Sequence, residues 1–100
     1  MMLHIINKSP LDRAGLASCL RVVRPGASIL LIEDGVYAAT RGTEAAAQIG
    51  RTAADVKIYA LGPDLEARGM KERVVEAVRI VDYEGFVDLV ISHEAVQSWL

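Results

Sequence analysis

Four consecutive large apolar residues at positions 29–32 interrupt the mixed pattern of the chain. A strand with one exposed face would alternate apolar and polar residues, so this block predicts a strand that is covered on both faces. Glu33, Asp34 and Gly35 end the block, and a helix-compatible segment follows. A buried strand that ends in acids and a glycine before a helix is typical of an open α/β sheet. In such sheets, ligands bind at the carboxyl ends of the strands.

Shorter apolar segments predict three further strands, at residues 2–7, 56–61 and 79–82. Helical segments are predicted at residues 10–23, 35–40, 43–49, 65–68, 71–78 and 83–93. Ser9 suits the N-cap of the first helix, with Pro10 at its first position, and Asp64 suits the N-cap of residues 65–68. Val96, Trp99 and Leu100 form an apolar tail with no predicted element.

Strands that alternate with helical segments predict one α/β domain over residues 1–100, with a small parallel β-sheet and helices on both faces. Hydrophobic residues make up 52% of the chain. A two-faced sheet in so short a chain has little surface to hide them, so we expect association through apolar surface and no lone monomer.

Charge and cysteine content exclude several classes of protein. The net charge of −2 gives no basic footprint for binding nucleic acid directly. No apolar run is long enough to predict a transmembrane helix, and the amino terminus has no signal-peptide pattern. A single cysteine cannot form an internal disulfide, so we expect a cytoplasmic protein.

Cys19 is the one residue with nucleophilic reach at neutral pH, and the residues leave its role open. It is either a sulfur carrier or a small buried hydrophobe, and no charged neighbour on its helix face would lower the pKa of the thiol. Glu33 and Asp34 are either paired carboxylates for acid–base chemistry or a cap and a surface charge. His4 and His93 lack metal-ligand spacing, and the glycines form no nucleotide-binding motif.

Five segments together resemble the DsrH/TusB family of small sulfur-relay subunits, in the same order along the chain. They are LHIINKSP at residues 3–10, LIEDGVYAA at 31–39, KIYALGPDLEARG at 57–69, VDYEGFVDL at 81–89 and QSW at 97–99. The resemblance implies a DsrE-like three-layer α/β/α fold.

The resemblance also implies a function. Such a subunit joins DsrE/TusD-like and DsrF/TusC-like subunits in a cytoplasmic heterohexamer with two copies of each. The complex passes persulfide sulfur between cysteines to a DsrC/TusE-like acceptor. It serves 2-thiolation of the tRNA wobble uridine or dissimilatory sulfur oxidation, and needs no metal or organic cofactor.

The main sulfur-accepting cysteine in this family belongs to the DsrE/TusD-like subunit. A cysteine in the first helix, as Cys19 is here, resembles the sulfur-oxidising branch. The resemblance therefore makes Cys19 a candidate catalytic residue, a persulfide carrier that works only within the complex. We predict that its thiol reacts in the folded chain. The alternative is a non-catalytic structural subunit that stabilises its two sisters while Cys19 packs in the core.

Overall fold

Five parallel strands form the centre of the computed structural model, which describes residues 1–99. They are β1 (Met2–Ile6), β2 (Ser28–Leu31), β3 (Lys57–Leu61), β4 (Val78–Val81) and β5 (Ala95–Trp99). Their order across the sheet is β4-β3-β2-β1-β5, and every neighbouring pair is parallel. The strand that was predicted to be buried, β2, lies in the middle of the sheet.

Four α-helices connect these strands: α1 (Gly15–Val22), α2 (Glu44–Thr52), α3 (Gly62–Ala67) and α4 (Tyr83–Ser92). Two 3₁₀ helices, Glu33–Ala39 and Lys71–Arg73, complete the crossovers. No helix within residues 1–99 has the length and apolar content that crossing a membrane requires. Three successive crossovers step the same way across the sheet, whereas the last returns from β4 to β5. Because such crossovers are right-handed, α4 lies on the opposite face from α1, α2 and α3.

Contacts on β2 agree with this placement. Successive strand residues point to opposite faces. Ile29 belongs to the buried cluster that also contains Leu16 of α1 and Ile49 of α2. The hydroxyl of Ser28 lies 2.9 Å from Nε2 of His93, directly after α4. The predicted fold class, a parallel sheet with helices on both faces, is therefore confirmed.

The central strand is covered as the apolar block predicts, but it is shorter. Ile29, Leu30 and Leu31 are fully buried. The strand ends at Leu31, and Ile32 is half-buried in the turn that follows. That turn crosses the end of β1 so closely that a Cβ at Gly35 would overlap the carbonyl oxygen of Ile6. The glycine is needed here because no side chain fits.

The carboxyl-terminal tail differs from the sequence prediction, because residues 95–99 form the fifth strand. This strand pairs with β1, with Met2 opposite Ala95 and Ile6 opposite Trp99. Its sequence has little alternation, so the pairing with a strand about ninety residues earlier decides the conformation. Leu100, the last residue of the predicted tail, lies outside the described residues.

The first helix begins later than Ser9 and Pro10 indicate. The Ser9 hydroxyl accepts a hydrogen bond from the Leu11 N–H at 3.2 Å, and its carbonyl accepts from the N–H groups of Asp12 and Arg13. Serine therefore closes a local turn instead of capping a helix. The helix starts at Gly15, with no side-chain cap.

The helix predicted at residues 71–78 is also mostly absent. Only Lys71–Arg73 is helical, as one 3₁₀ turn. Val74 then bridges to Thr40 in an antiparallel contact, and β4 begins at Val78. Two adjacent β-branched valines at this point disfavour a helix and suit extended chain.

Candidate functional site

A cleft of about 890 Å³ lies beside the carboxyl ends of β1 and β2, where an open α/β sheet places its ligands. We name it the carboxyl-end cleft. Apolar side chains that line it include Leu16, Tyr37 and Met70, and acidic ones include Asp34 and Glu44. The loop of residues 9–14 forms one wall. The cleft is therefore an open site of mixed character, with more acidic than basic side chains around it.

The loop after β2 is held in a constrained conformation next to this cleft. Glu33 has a φ of 49°, in the left-handed region that disfavours a residue with a side chain. Its N–H donates to Oδ2 of Asp64 at 2.6 Å. Asp64 was predicted to cap its own helix, but it lies within α3 and binds the loop after β2 instead. The backbone strain at Glu33 is thus offset by a charge-assisted hydrogen bond from a neighbouring crossover.

Glu33 and Asp34 do not form a pair of catalytic carboxylates. Asp34 Oδ1 accepts from Nε of Arg68 at 3.0 Å and lies 3.0 Å from its Nη2. Arg68 also donates through Nη1 to the carbonyl of Asp64 at 3.1 Å. Asp34 is therefore committed to an ion pair with a cation, whereas Glu33 is exposed. This arrangement braces the loop after β2 against α3.

Cys19 is buried in the core and does not line the cleft. It lies in the second turn of α1, three residues after Leu16, which does line the cleft, and both side chains belong to the same buried cluster. Burial raises the pKa of the Cys19 thiol to about 12. At pH 7 such a thiol is ionised in only about one molecule in 10⁵. The thiolate, which is the nucleophile, is therefore nearly absent in this conformation.

The two histidines are on opposite faces of the sheet. Nδ1 of His4 accepts a hydrogen bond from the indole N–H of Trp99 at 3.0 Å. The ring of His93 lies against the carbonyl of Leu89 at 2.7 Å and against the hydroxyl of Ser28. Among residues 1–99, no three His, Cys, Asp or Glu side chains come together as a metal site.

The outward side of α4 is apolar. No residue of α4 is buried. Its exposed apolar side chains are Tyr83 (61%), Val87 (55%), Val90 (38%) and Ile91 (76%). Because their spacing is that of one helix face, they form a continuous strip, which we name the α4 stripe. A continuous apolar strip of this kind is uncommon on the surface of a small chain, which makes it a candidate contact surface.

Sequence reasoning missed the contacts of three residues that shape these sites: Asp64, which it took for a helix cap, Arg68, and Trp99, which it placed in the apolar tail. Their partners lie 31, 34 and 95 positions away along the chain. No local spacing connects such pairs, because the sheet alone brings them together. The exposed side of α4 could have been predicted from the sequence. Phe86, Val87, Val90 and Ile91 are all apolar, and a ten-residue helix with one buried face needs fewer apolar positions than that.

Comparison with known proteins identifies the family. The family described as DsrH like protein matches residues 8–96. Protein TusB of Pectobacterium parmentieri is 39% identical over 98 residues, which are 98% of this chain and all of that protein. Protein TusB of Escherichia coli O81 (strain ED1a) is 36% identical over the same shares of both chains.

Solved structures share the fold. The ychN protein from E. coli superposes with a TM-score of 0.87 at 18% identity and covers 98% of this chain and 97% of its own. The Thermotoga maritima protein Tm0979, solved by NMR in solution, has a TM-score of 0.66 at 26% identity, over 94% of this chain and 95% of its own. These likenesses concern the arrangement of strands and helices alone. The match to the family over residues 8–96 and the sequence identity over nearly the whole length show that this chain belongs to the DsrH/TusB family.

Proposed function

We propose that this chain is a subunit of a sulfur-relay complex and that its contribution is to bind and position its sister subunits. The observation that carries the proposal is the α4 stripe. Four apolar side chains on this helix are exposed to solvent, because no other part of residues 1–99 covers them. Ile91 is the most exposed of the four, at 76%. Membership of the DsrH/TusB family is the reason for proposing that this complex is a sulfur-relay complex.

The partners in this proposal are a DsrE/TusD-like and a DsrF/TusC-like subunit, in a cytoplasmic heterohexamer with two copies of each. A stable interface removes roughly 800 Å² from water on each partner. The α4 stripe supplies its apolar centre, and the exposed Val96 of β5 extends it. The sulfur acceptor is a DsrC/TusE-like protein. Whether the sulfur then enters tRNA 2-thiolation or sulfur oxidation depends on that acceptor.

Burial of Cys19 favours the structural role over the carrier role. Sulfane sulfur transfer requires an acceptor thiolate to attack the outer sulfur of a donor persulfide. The donor S–S bond breaks, and the donor leaves as a thiolate. A thiol with no exposed surface and a pKa near 12 neither reaches the donor nor ionises. The prediction that Cys19 carries sulfur stays a prediction, and it requires α1 to open or a partner to expose the thiol.

Assembly tests the role of the α4 stripe. The chain is co-expressed with both sister subunits, and the mass of the complex is measured by light scattering after gel filtration. We expect the double variant Val87→Lys and Ile91→Lys to lose the complex, because two desolvated charges would have no partner. Ala47→Lys, at an exposed position of α2, is the matched control and should assemble fully. Normal assembly of the double variant at wild-type concentrations would contradict the proposal.

Sulfur loading tests the role of Cys19. Intact-mass spectrometry follows the wild-type chain, alone and within its complex, after polysulfide treatment under native conditions. We expect no gain of sulfur mass at Cys19 in either form. We also expect the complex with Cys19→Ser to deliver sulfur to its acceptor at the wild-type rate. One added sulfur in the wild type and none in the variant would establish the carrier role instead.

A further inference from the structure

A second cavity, of about 500 Å³, lies between the end of α1 and the edge strand β5. We name it the edge cavity. It is separate from the carboxyl-end cleft, with which it shares no lining residue. Apolar residues that line it include Met1, Met2 and Val22, and the polar ones are His4, Arg24 and Gln97. Neither the α4 stripe nor Cys19 contributes to it.

The protonation state of His4 in this cavity follows from its partner. His4 is only 5% exposed, and its Nδ1 lies 3.0 Å from the indole nitrogen of Trp99. An indole N–H only donates, so Nδ1 must be the acceptor and must lack a proton. Burial lowers the pKa of His4, which keeps the ring neutral. The single ring proton is therefore on Nε2.

His4 lines the edge cavity, and its Nε2–H group has no hydrogen-bond acceptor among residues 1–99. The one sealed and unpartnered side-chain polar atom in that range is Oδ1 of Asn7, so Nε2 of His4 is not sealed. Because His4 lines the edge cavity, the cavity is where its donor is accessible. Such a donor bonds to water when the cavity is empty, and an occupant with an acceptor oxygen replaces that water.

The surroundings of this donor select the chemistry of the occupant. Met1, Met2 and Val22 present apolar side chains that are 58%, 38% and 58% exposed. Among residues 1–99, Arg24 is the one charged side chain that lines the cavity. The amino terminus of Met1, which also lines it, pairs with Glu94 at 3.2 Å on the protein surface. An apolar wall beside a cation and an N–H donor fits an amphipathic anion.

We propose that the edge cavity binds a small organic anion, whose oxygen accepts from Nε2 of His4 and pairs with Arg24 while its apolar part covers Met1, Met2 and Val22. This site is independent of the assembly role, since it uses none of the residues of the α4 stripe. Binding through one hydrogen bond and one exposed cation gives modest affinity, in the range of roughly 0.1–1 mM.

Titration of the isotopically labelled chain with sodium hexanoate tests the proposal. We expect saturable changes in the imidazole resonances of His4 below about 10 mM. Arg24→Gln should weaken binding by about five-fold or more, since it removes the only lining charge. Arg21→Gln is the matched control, an exposed arginine of α1 that does not line the cavity, and should bind as the wild type does. Hexan-1-ol, which has the same chain without the charge, should bind more weakly than hexanoate.

Three results would overturn the proposal. The first is no response of the His4 resonances up to about 10 mM hexanoate. The second is equal binding by Arg24→Gln and Arg21→Gln, which would mean that Arg24 does not pair with the anion. The third is a shift of the Val87 and Ile91 resonances in place of those of His4, which would put the hexanoate on the α4 stripe. In the wild type, resonances of Val22 and Gln97, which also line the cavity, should shift with hexanoate as those of His4 do. His4→Phe, checked for a native spectrum, should lose the shifts of Val22 and Gln97 while keeping its complex with the sister subunits.

Discussion

Helices cover the two faces of the β-sheet to different extents. On one face, α1, α2 and α3 bury Ile29, Leu31 and Ile49 completely. On the other face α4 is the only helix, and no residue of α4 is buried. We call them the sealed face and the open face. The difference indicates that burial on the sealed face contributes most to the stability of the chain, and it is the basis of the proposal that the open face binds the sister subunits.

The dimensions of the sheet explain this difference. Five strands spaced about 4.8 Å apart span about 19 Å. A helix that runs back along the strands is about 10 Å wide, so it covers about two of them. The sealed face receives three crossovers, whereas the strand order leaves one crossover for the open face. On the open face, Leu30 of β2 is fully buried, but the α4 stripe stays in contact with water.

The largest expected effect is on the free energy of unfolding, when an aspartate is placed on the sealed face and another on the open face. Ile29→Asp should lower the free energy of unfolding by more than about 3 kcal/mol, because the carboxylate would be buried without a partner. Val87→Asp on α4 should change it by less than about 0.5 kcal/mol, since Val87 is already exposed and both residues have similar helix propensity. Urea unfolding followed by circular dichroism measures both. Equal losses in the two variants would mean that the faces do not differ in burial.

An intermediate effect concerns the thiol on the sealed face. Cys19→Ala should lower stability at pH 7 by about 1–2 kcal/mol, because it leaves a small cavity in the core. Since the pKa of the folded thiol is raised to about 12 from 9.0, both states hold the proton below pH 9. Above that pH the unfolded thiol ionises first, so the contribution of Cys19 to stability falls by about 1.4 kcal/mol per pH unit.

Urea unfolding of the wild type and Cys19→Ala at about pH 8 and about pH 10 measures this difference. The other titrating groups are common to both proteins and cancel. We expect the advantage of cysteine over alanine to shrink at the higher pH. An advantage that stays constant would show that the folded thiol ionises as readily as the unfolded one, and that Cys19 is accessible.

The smallest expected effect concerns the contribution of ion pairs to the stability of the sealed face. Asp34 is half-exposed and Arg68 is partly buried. A double-mutant cycle of Asp34→Ala and Arg68→Ala should give a coupling energy of only about 0.5 kcal/mol, which salt reduces. The more exposed pair of Glu66 and Lys71 is the comparison and should give less. A coupling close to the loss in Ile29→Asp would mean that charge, rather than burial, stabilises this face.

Part of the fold could be predicted because its signals are local. The apolar block at residues 29–32 predicted the buried central strand, and alternation of strands with helices predicted a parallel sheet. Asp82, directly before α4, is a local cap signal of the same kind, and its side chain accepts from the N–H of Gly85 at 2.8 Å. Ser9 misled the prediction, because a serine before a proline closes a turn as readily as it caps a helix.

The sites could not be predicted in the same way, because their partners are distant in the chain. Cys19 looked equally suited to packing and to sulfur chemistry, and burial within the core cluster now favours packing. From the sequence, Asp34 was either half of a carboxylate pair or a helix cap, and the structure shows it in an ion pair with Arg68. The tautomer of His4 is set by the hydrogen bond from the indole N–H of Trp99, and only the pairing of β5 with β1 places Trp99 there.

The sequence by itself determined the family, the central strand and the alternation of elements, since each depends on neighbouring residues or on similarity along the chain. Only the tertiary structure decided the fifth strand, the burial of the Cys19 thiol and the exposure of α4. The physical reason is that burial and pKa depend on which elements pack together. For this chain the strand order sets that packing, because it puts three helices on one face and one on the other.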